Sequence, residues 1–198
     1  SGGEIMIQMA SEIFSNNNIK THILSTGKQV GVYKSKFSEK DYKVFHIPFV
    51  KFWKIISPAM LFKIYKLINR NKYDLVHVHT ERGRLSYCTI ARLSGVKKII
   101  TTVHHIFAPI ETFIGKIKGL VTIFKRWFIR KIIGAVIVSN SKSGLRNEKK
   151  YYKSENFYIP NWYNHLKYTL PVDDKIREKL RRELDIGDDS LVFISLGG

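Results

Sequence analysis

The chain has few acidic residues and almost no cysteine, and both shortages limit what it can be. Only 16 Asp and Glu stand against 34 Lys and Arg, so the formal net charge is +18. A chain of this charge is expected to meet a polyanion, such as nucleic acid, an anionic membrane surface or a phosphorylated small molecule. The single cysteine, Cys88, excludes an internal disulfide and fits a reducing compartment.

Long apolar runs are missing as well, since none reaches the roughly 18 residues that a transmembrane helix requires. The chain is nevertheless apolar enough to form a packed core, because 44% of its 198 residues are hydrophobic. No internal repeat and no low-complexity tract is present in the sequence. We therefore expect one large domain, or one domain with the start of another.

The segment Asp74–Pro109 organises the rest of the sequence. Leu75–Val78 and Ile99–Val103 are short apolar runs, typical of strands that are covered on both faces. Between them, Arg84–Ser94 is long enough for about three helical turns, and Gly95 is placed to end that helix. The order of strand, helix and strand predicts a parallel pair with a right-handed crossover.

Polar residues follow both of these predicted strands. They are His79, Thr80, Glu81, His104 and His105. Because the carboxyl ends of parallel strands share one edge of a sheet, where such sheets bind ligands, we predict a ligand site there. The residues alone leave a functional and a structural role for His104 and His105 equally open.

Two other residues of this segment are predicted to be structural. Alternation along the first strand points His77 away from Val76 and Val78, so we expect it to be hydrogen-bonded within the fold. Cys88 lies inside the predicted helix and is expected in the core. The four histidines would suit a metal by ligand type, but we do not expect a metal site on a covered strand.

The rest of the chain continues the alternation of helices and strands. Helices are predicted at Ile5–Phe14, in the second part of Phe49–Asn71, at Thr112–Ile133, within Asn140–Lys153, and from Asp173 or Asp174 to Leu184. Strands are predicted at Thr21–Ser25, Tyr42–Ile47, Ala135–Ser139, Phe157–Pro160 and Leu191–Leu196. This order predicts a doubly wound α/β domain with a parallel sheet. A glycine pair that opens a helix needs a strand before it, so we also expect a first strand upstream.

The predicted helix Thr112–Ile133 combines an apolar side with many cations. Its apolar side is formed by Phe113, Ile117, Leu120, Phe124, Trp127 and Phe128. A basic amphipathic helix rich in Trp and Phe is typical of an interfacial membrane helix. The predicted membrane contacts are Lys125, Arg126, Trp127, Arg130 and Lys131. The alternative is an ordinary amphipathic helix that packs on the sheet and has a solvated basic face.

Several motifs, in this order along the chain, resemble those of one enzyme family. Gly2-Gly3-Glu4 resembles a Gly-Gly-(Ala)-Glu turn with one residue missing. Asp74–His79 is similar to a strand of the form Asp-hydrophobic-hydrophobic-His-x-His, and Thr102-Val103-His104 to a Thr-x-His motif. The segments Ala135–Ser139 and Ile159-Pro160-Asn161 are similar to the approach to an interdomain hinge. Together they resemble the N-terminal domain of the family-4-like glycosyltransferases, which have the GT-B architecture of two facing Rossmann-like domains.

The resemblance implies a retaining transfer of a hexose from a nucleotide-diphosphate sugar to a hydroxyl acceptor, without a metal or another cofactor. It places Gly2 and Gly3 at the donor diphosphate and makes His104 the catalytic residue, with a neutral imidazole at the donor sugar. The acceptor side would be lined by His105, Glu81, Arg82 and His79. Acceptors in this family are often lipid-linked, which implies a cell-surface polysaccharide precursor, a cytoplasmic location and peripheral contact with the inner face of the membrane.

The resemblance also predicts how the chain is divided. Residues 1–170 correspond to the acceptor-side domain, and residues 171–198 to a linker helix and the first strand of the sugar-nucleotide domain. Trp162 departs from the pattern, because the family usually has glycine there. Two alternatives to a transferase stay open: a basic α/β module that binds nucleic acid, and a non-catalytic peripheral membrane protein. If the chain belongs to a transferase, no nucleic-acid partner is expected.

We expect these 198 residues by themselves to transfer no sugar. In the family, the basic residues and the paired glutamates that hold the donor lie in the second domain, so the chain is predicted to be a fragment with half of the cleft. An assay with nucleotide-sugar donors checks this, and measurable transfer would contradict the two-domain interpretation.

Overall fold

A computed structural model of the chain describes residues 2–29, 42–49, 51–52, 55–104, 112–162, 173–187 and 189–192. The chain divides into two compact units, Ser1–Trp162 and Tyr163–Gly198. The predicted boundary after residue 170 and the motif residue His105 lie outside the described residues. So does most of the predicted strand Leu191–Leu196.

The first unit alternates helices and strands. In chain order its described elements are α1 (Gly2–Asn16), β1 (His22–Ser25), β2 (Lys43–His46), β3 (Lys51–Phe52), β4 (Ile55–Ile56), α2 (Pro58–Asn71), β5 (Leu75–Val78), α3 (Arg84–Leu93), β6 (Lys98–Val103), α4 (Phe113–Lys131), β7 (Val136–Ser139), α5 (Lys142–Tyr152) and β8 (Phe157–Tyr158). In the second unit the described helix is α6 (Asp174–Glu183).

The strands in the described part of the chain form two parallel sheets and one short hairpin. Strands β5, β6, β7 and β8 pair in that order, all in parallel. Strands β1 and β2 form a separate parallel pair, and β3 and β4 pair antiparallel. This is the predicted α/β class with parallel sheets. The β3–β4 hairpin was not predicted, and the expected upstream strand stays a prediction.

The main core lies between the four-stranded sheet and helices α2, α3 and α4. Its buried members are Met60, Ile64, Ile68, Val78, Tyr87, Cys88, Ala91, Val96, Ile99, Val103, Ile129, Ile133, Ala135 and Ile137. The predicted core position of Cys88 is confirmed, since its side chain is fully buried. Burial raises the pKa of its thiol to about 11, so the thiol stays protonated at neutral pH.

Local sequence explains where the helices around this core begin and end. The Thr112 side chain caps α4 by accepting a hydrogen bond from the Gly115 N–H at 3.1 Å. Ser141 caps α5 in the same way through the Gly144 N–H. After α3 the chain turns through Gly95, whose positive φ of 85° is costly for other residues. The predicted role of Gly95 is therefore confirmed.

A buried ion pair joins α4 to α5. Arg126 Nε lies 2.8 Å from Glu148 Oε2, and Arg126 Nη2 lies 3.0 Å from Glu148 Oε1. Arg126 is 7% exposed and Glu148 only 2% exposed. A bidentate pair in this environment has its hydrogen bonds satisfied, but neither charge is tolerated well without the other.

We expect the replacement Glu148→Gln to destabilise the fold by about 3–5 kcal/mol, because it leaves the Arg126 charge buried and unpaired. Urea denaturation followed by circular dichroism measures the change. The matched control is Glu155→Gln, which breaks the Arg130–Glu155 pair, where the Glu155 side chain is 85% exposed. The control substitution should change the free energy of unfolding little. Equal losses of stability in both variants would contradict the idea that burial makes the Arg126–Glu148 pair important.

Candidate functional site

Three polar side chains meet at the carboxyl edge of the four-stranded sheet. His79, His104 and Asn140 each come directly after a strand, namely β5, β6 and β7. His79 Nδ1 lies 3.4 Å from His104 Nε2, and His104 Nδ1 lies 3.4 Å from Asn140 Nδ2. We call these three residues the strand-end row. The sequence predicted that the first two would lie close together, and the structure brings them into contact.

The row fixes which nitrogen of His104 carries a proton. The Asn140 Nδ2 atom only donates hydrogen bonds, so His104 Nδ1 accepts. A neutral His104 then carries its proton on Nε2 and donates it to His79 Nδ1. Both hydrogen bonds are long, which leaves them weak compared with ordinary ones.

Behind the row, His77 links the same two strands. Its Nε2 atom lies 2.7 Å from Thr102 Oγ1, and its ring centroid lies 3.9 Å from that of His79. His77 is exposed as a residue, but its imidazole lies between the His79 ring and the Thr102 hydroxyl. The predicted hydrogen bond of His77 within the fold is confirmed.

Desolvation of their imidazole rings and mutual proximity keep two of these histidines uncharged. Desolvation, followed by the neighbouring His79 and His104, lowers the pKa of His77 to about 3. Desolvation and His104 lower the pKa of His79 to about 4. At neutral pH the site therefore offers neutral imidazoles, which both donate and accept hydrogen bonds.

A buried arginine supports the loop between β5 and α3. Arg84, the first residue of α3, donates through Nη2 to the Glu81 carboxylate and to the Thr102 carbonyl, the latter at 2.8 Å. Among the described residues its Nε and Nη1 atoms have no hydrogen-bond partner. Burial, with Arg126 nearby, lowers the pKa of the guanidinium. Buried donors without partners cost stability and are rare in folded proteins.

The other predicted site residues are placed as follows. Glu81 is half-buried beside Arg84, whereas Arg82 is exposed. Gly2 and Gly3 form the first turn of α1, where backbone N–H groups are free of helical partners. The α1 backbone also accepts a hydrogen bond at Met6 from Trp162 Nε1, at 3.1 Å. His105 lies outside the described residues.

Two of the predicted membrane contacts are engaged within the protein. Arg126 is buried against Glu148 and does not reach the surface. Arg130 forms an ion pair with Glu155 at 2.6 Å. Lys125, Trp127 and Lys131 are exposed. The prediction for Arg126 is therefore wrong, because a cation in a basic segment gives no sign in the sequence that its partner is a distant carboxylate.

Sequence reasoning missed two residues of the site, Asn140 and Arg84. Asn140 had a readable signal, since it follows a predicted strand just as His79 and His104 do. No signal in the sequence indicated that Arg84 is buried, because the first residue of a helix is usually solvated.

The structure shows neither a metal centre nor a membrane-spanning helix in its described part. There, no three His, Cys, Asp or Glu side chains are grouped to hold a metal ion. None of the described helices combines the length and the hydropathy needed to cross a bilayer.

Two solved structures share the fold of this chain. A glycosyltransferase from Rickettsia africae ESF-5 superposes with a TM-score of 0.68 at 18% identity, covering 93% of this chain and 46% of its own. Anabaena HepE, solved in complex with UDP and glucose, superposes with a TM-score of 0.65 at 13% identity, covering 93% and 47%. The chain thus spans slightly less than half the length of either protein. At these identities the similarity shows the fold, the Rossmann-like half of a GT-B architecture.

A comparison with curated protein sequences gave no significant match. The sequence profile of Glycosyltransferase Family 4 matches residues 1–165, which is most of the chain and includes the whole strand-end row. The chain therefore belongs to glycosyltransferase family 4.

Proposed function

We propose that the protein is a retaining glycosyltransferase that moves a hexose from a nucleotide-diphosphate sugar to a hydroxyl acceptor without a metal ion. The acceptor is lipid-linked or a precursor of a cell-surface polysaccharide, and the reaction takes place in the cytoplasm at the inner face of the membrane. The observation that carries the proposal is the strand-end row, in which His79, His104 and Asn140 meet at the edge where parallel sheets bind ligands.

His104 is proposed as the catalytic residue at the donor sugar. Both of its ring nitrogens have protein partners at 3.4 Å, and hydrogen bonds of this length are weak. A sugar hydroxyl that binds at the row replaces one of them with a shorter hydrogen bond. The partner that stays, His79 or Asn140, then holds the ring in the orientation that presents the other nitrogen to the sugar.

The donor is proposed to approach the first turn of α1. Gly2 and Gly3 begin this helix, and without side chains they let an oxygen of the diphosphate reach the free N–H groups. HepE, which shares the fold, was solved with UDP and glucose. This supports UDP-glucose as the first donor to test.

The acceptor is proposed to bind near Glu81 and Arg82, with His79 and His105. Glu81 has a fixed carboxylate, because Arg84 holds it from the buried side. A carboxylate held in one place accepts a hydrogen bond from an acceptor hydroxyl at a smaller entropic cost than a free one. Arg82 is exposed and offers a cation to a phosphorylated acceptor.

We expect His104→Ala to lower turnover on the order of a hundredfold or more, because it removes a positioned hydrogen-bonding group from the reacting centre. The measurement is transfer from a panel of nucleotide sugars by the full-length protein, with thermal unfolding as the check on stability. His46→Ala is the matched control, since His46 is an exposed histidine that contacts the Gly27 carbonyl at 2.9 Å. Wild-type turnover in the His104 variant would remove this residue from the site. Binding of an oligonucleotide that nucleotide sugars do not affect, without any transfer, would favour the nucleic-acid alternative.

The pKa values of His77 and His79 predict a loss of stability on acidification. Both are lower in the folded chain than the ordinary value of 6.5, so the unfolded chain binds more protons as the pH falls below it. We expect the urea midpoint to decrease as the pH is lowered from about 7 to about 5, where the unfolded chain begins to bind the additional protons. The urea midpoint of the His79→Asn variant should decrease less steeply than that of the parent protein. Parallel pH profiles for the parent and the variant would contradict the placement of a neutral His79.

A further inference from the structure

Helix α4 turns its apolar side to the solvent. Phe113, Ile117, Leu120, Phe124 and Trp127 form what we call the outer face, and they are 78%, 46%, 66%, 59% and 48% exposed. The side that packs on the protein contains instead Gly115, Arg126 and Ile129, which are buried. An ordinary surface helix has the opposite arrangement, with its apolar side toward the core. The outer face is thus a solvent-exposed apolar surface.

The size of this face suits a partner of its own. The helix has 19 residues, so the face runs for about 28 Å along the surface. Phe124 lies beside Trp127 with 5.7 Å between ring centroids, which makes a continuous aromatic pair at its centre. Exposed apolar surfaces of this extent mark sites of interaction in soluble proteins.

The charged residues around the outer face indicate which kind of partner it binds. At 100° per residue, Lys116 and Lys125 lie on either side of the outer face, and Lys131 continues it at the last turn. All three are exposed, and no acidic residue occurs between Glu111 and Glu148 in the sequence. Of the other cations of α4, Lys118 is also exposed, whereas Arg126 and Arg130 form ion pairs with Glu148 and Glu155. The cations left around the face are thus lysines that flank an apolar stripe.

We infer that the outer face of α4 docks the protein on an anionic lipid surface. The helix lies in the plane of the membrane, with Phe113, Leu120 and Phe124 below the headgroups. Trp127 lies at the level of the headgroups, where indole rings are favoured. Lys116 and Lys125 contact lipid phosphates from the two sides.

A second copy of the chain is a poorer occupant of the same face. An isologous contact through α4 would bring the flanking lysines of both copies together, in a chain whose net charge is already +18. Like charges at an interface oppose association. An anionic surface has the complementary charge and, below its headgroups, the complementary hydrophobicity.

This inference rests on the proposed function only for the location of the acceptor. In the chain, α4 follows the segment after β6 and His104. A membrane-bound α4 would therefore keep the protein at the surface that carries a lipid-linked acceptor. Docking itself needs no transfer chemistry and is measured separately.

The experiment compares binding of the full-length protein to vesicles of phosphatidylcholine with and without phosphatidylglycerol. We expect the double variant Phe124→Ser and Trp127→Ser to bind at least about tenfold more weakly, because it removes two large apolar groups from the interface. Replacing Lys116, Lys125 and Lys131 by Ser should weaken binding about fivefold for each lysine at low salt, and less at high salt.

The matched control is Phe62→Ser on α2. Phe62 is 55% exposed, close to the exposure of Phe124, but it does not lie on α4. It should leave vesicle binding unchanged. Circular dichroism and thermal unfolding check that all variants fold, which surface substitutions of this kind permit.

Three results would overturn the inference. They are unchanged binding in the Phe124/Trp127 variant, an equal loss in the Phe62 variant, and a dimer in solution that the Phe124/Trp127 variant abolishes. Transfer to a soluble acceptor separates this inference from the proposed function. If the docking inference holds and the proposed function fails, vesicle binding depends on α4 while no sugar transfer occurs. If the proposed function holds and the docking inference fails, the α4 variants keep full transfer to both lipid-linked and soluble acceptors.

Discussion

The parallel pairing of β5, β6 and β7 is the constraint on which the site depends. Parallel strands end at one edge of a sheet, and the pairing of Val103 with Ser139 places His104 beside Asn140. Val78 pairs with Thr101, so His79 lies in register with Thr102, and its side chain contacts His104 two residues further along the chain. His79, His104 and Asn140 are the first residues after the three strands. None of them needs a special loop to reach the others, because backbone hydrogen bonds already hold the three strand ends. A change that shifted the register of β6 would therefore disturb all the contacts of His104 together.

The helices behind this edge carry a second constraint, the placement of cations in a poorly solvated region. Arg84 and Arg126 are both buried, and the nearby Arg126 makes the charge of Arg84 less favourable. Glu148 compensates Arg126 with two hydrogen bonds, while Glu81 and the Thr102 carbonyl compensate Arg84 through one nitrogen. The incomplete satisfaction of Arg84 lies next to the site and not in the distant core. The unsatisfied donors of Arg84 cost stability, while the same side chain holds Glu81 and the end of β6 in place.

The sequence was a good guide to local elements and a poor guide to partners across the fold. The bounds of β5 agree with the prediction, and β6 begins one residue earlier than predicted, because buried parallel strands are short apolar runs with polar ends. Alternation alone placed His77 on the side away from Val76 and Val78. The hairpin of β3 and β4 was missed because strands of two residues show no period. Arg126 was misplaced because its partner is 22 residues away on another helix, a distance over which periodicity says nothing.

Helix α4 shows why periodicity has this limit. The spacing of its aromatic residues correctly indicated that they share one side, but the same spacing is expected whether that side meets the core or the solvent. What distinguishes the two cases is the composition of the opposite side. A side with Gly115, Arg126 and Ile129 packs closely, because glycine allows a near approach and the arginine has a buried carboxylate to meet. Among the aromatic residues of α4, Phe128 packs partly against the core, whereas Phe113, Phe124 and Trp127 are exposed and contribute little to that packing. The presence of these three residues on the outer face is therefore better explained by binding than by packing.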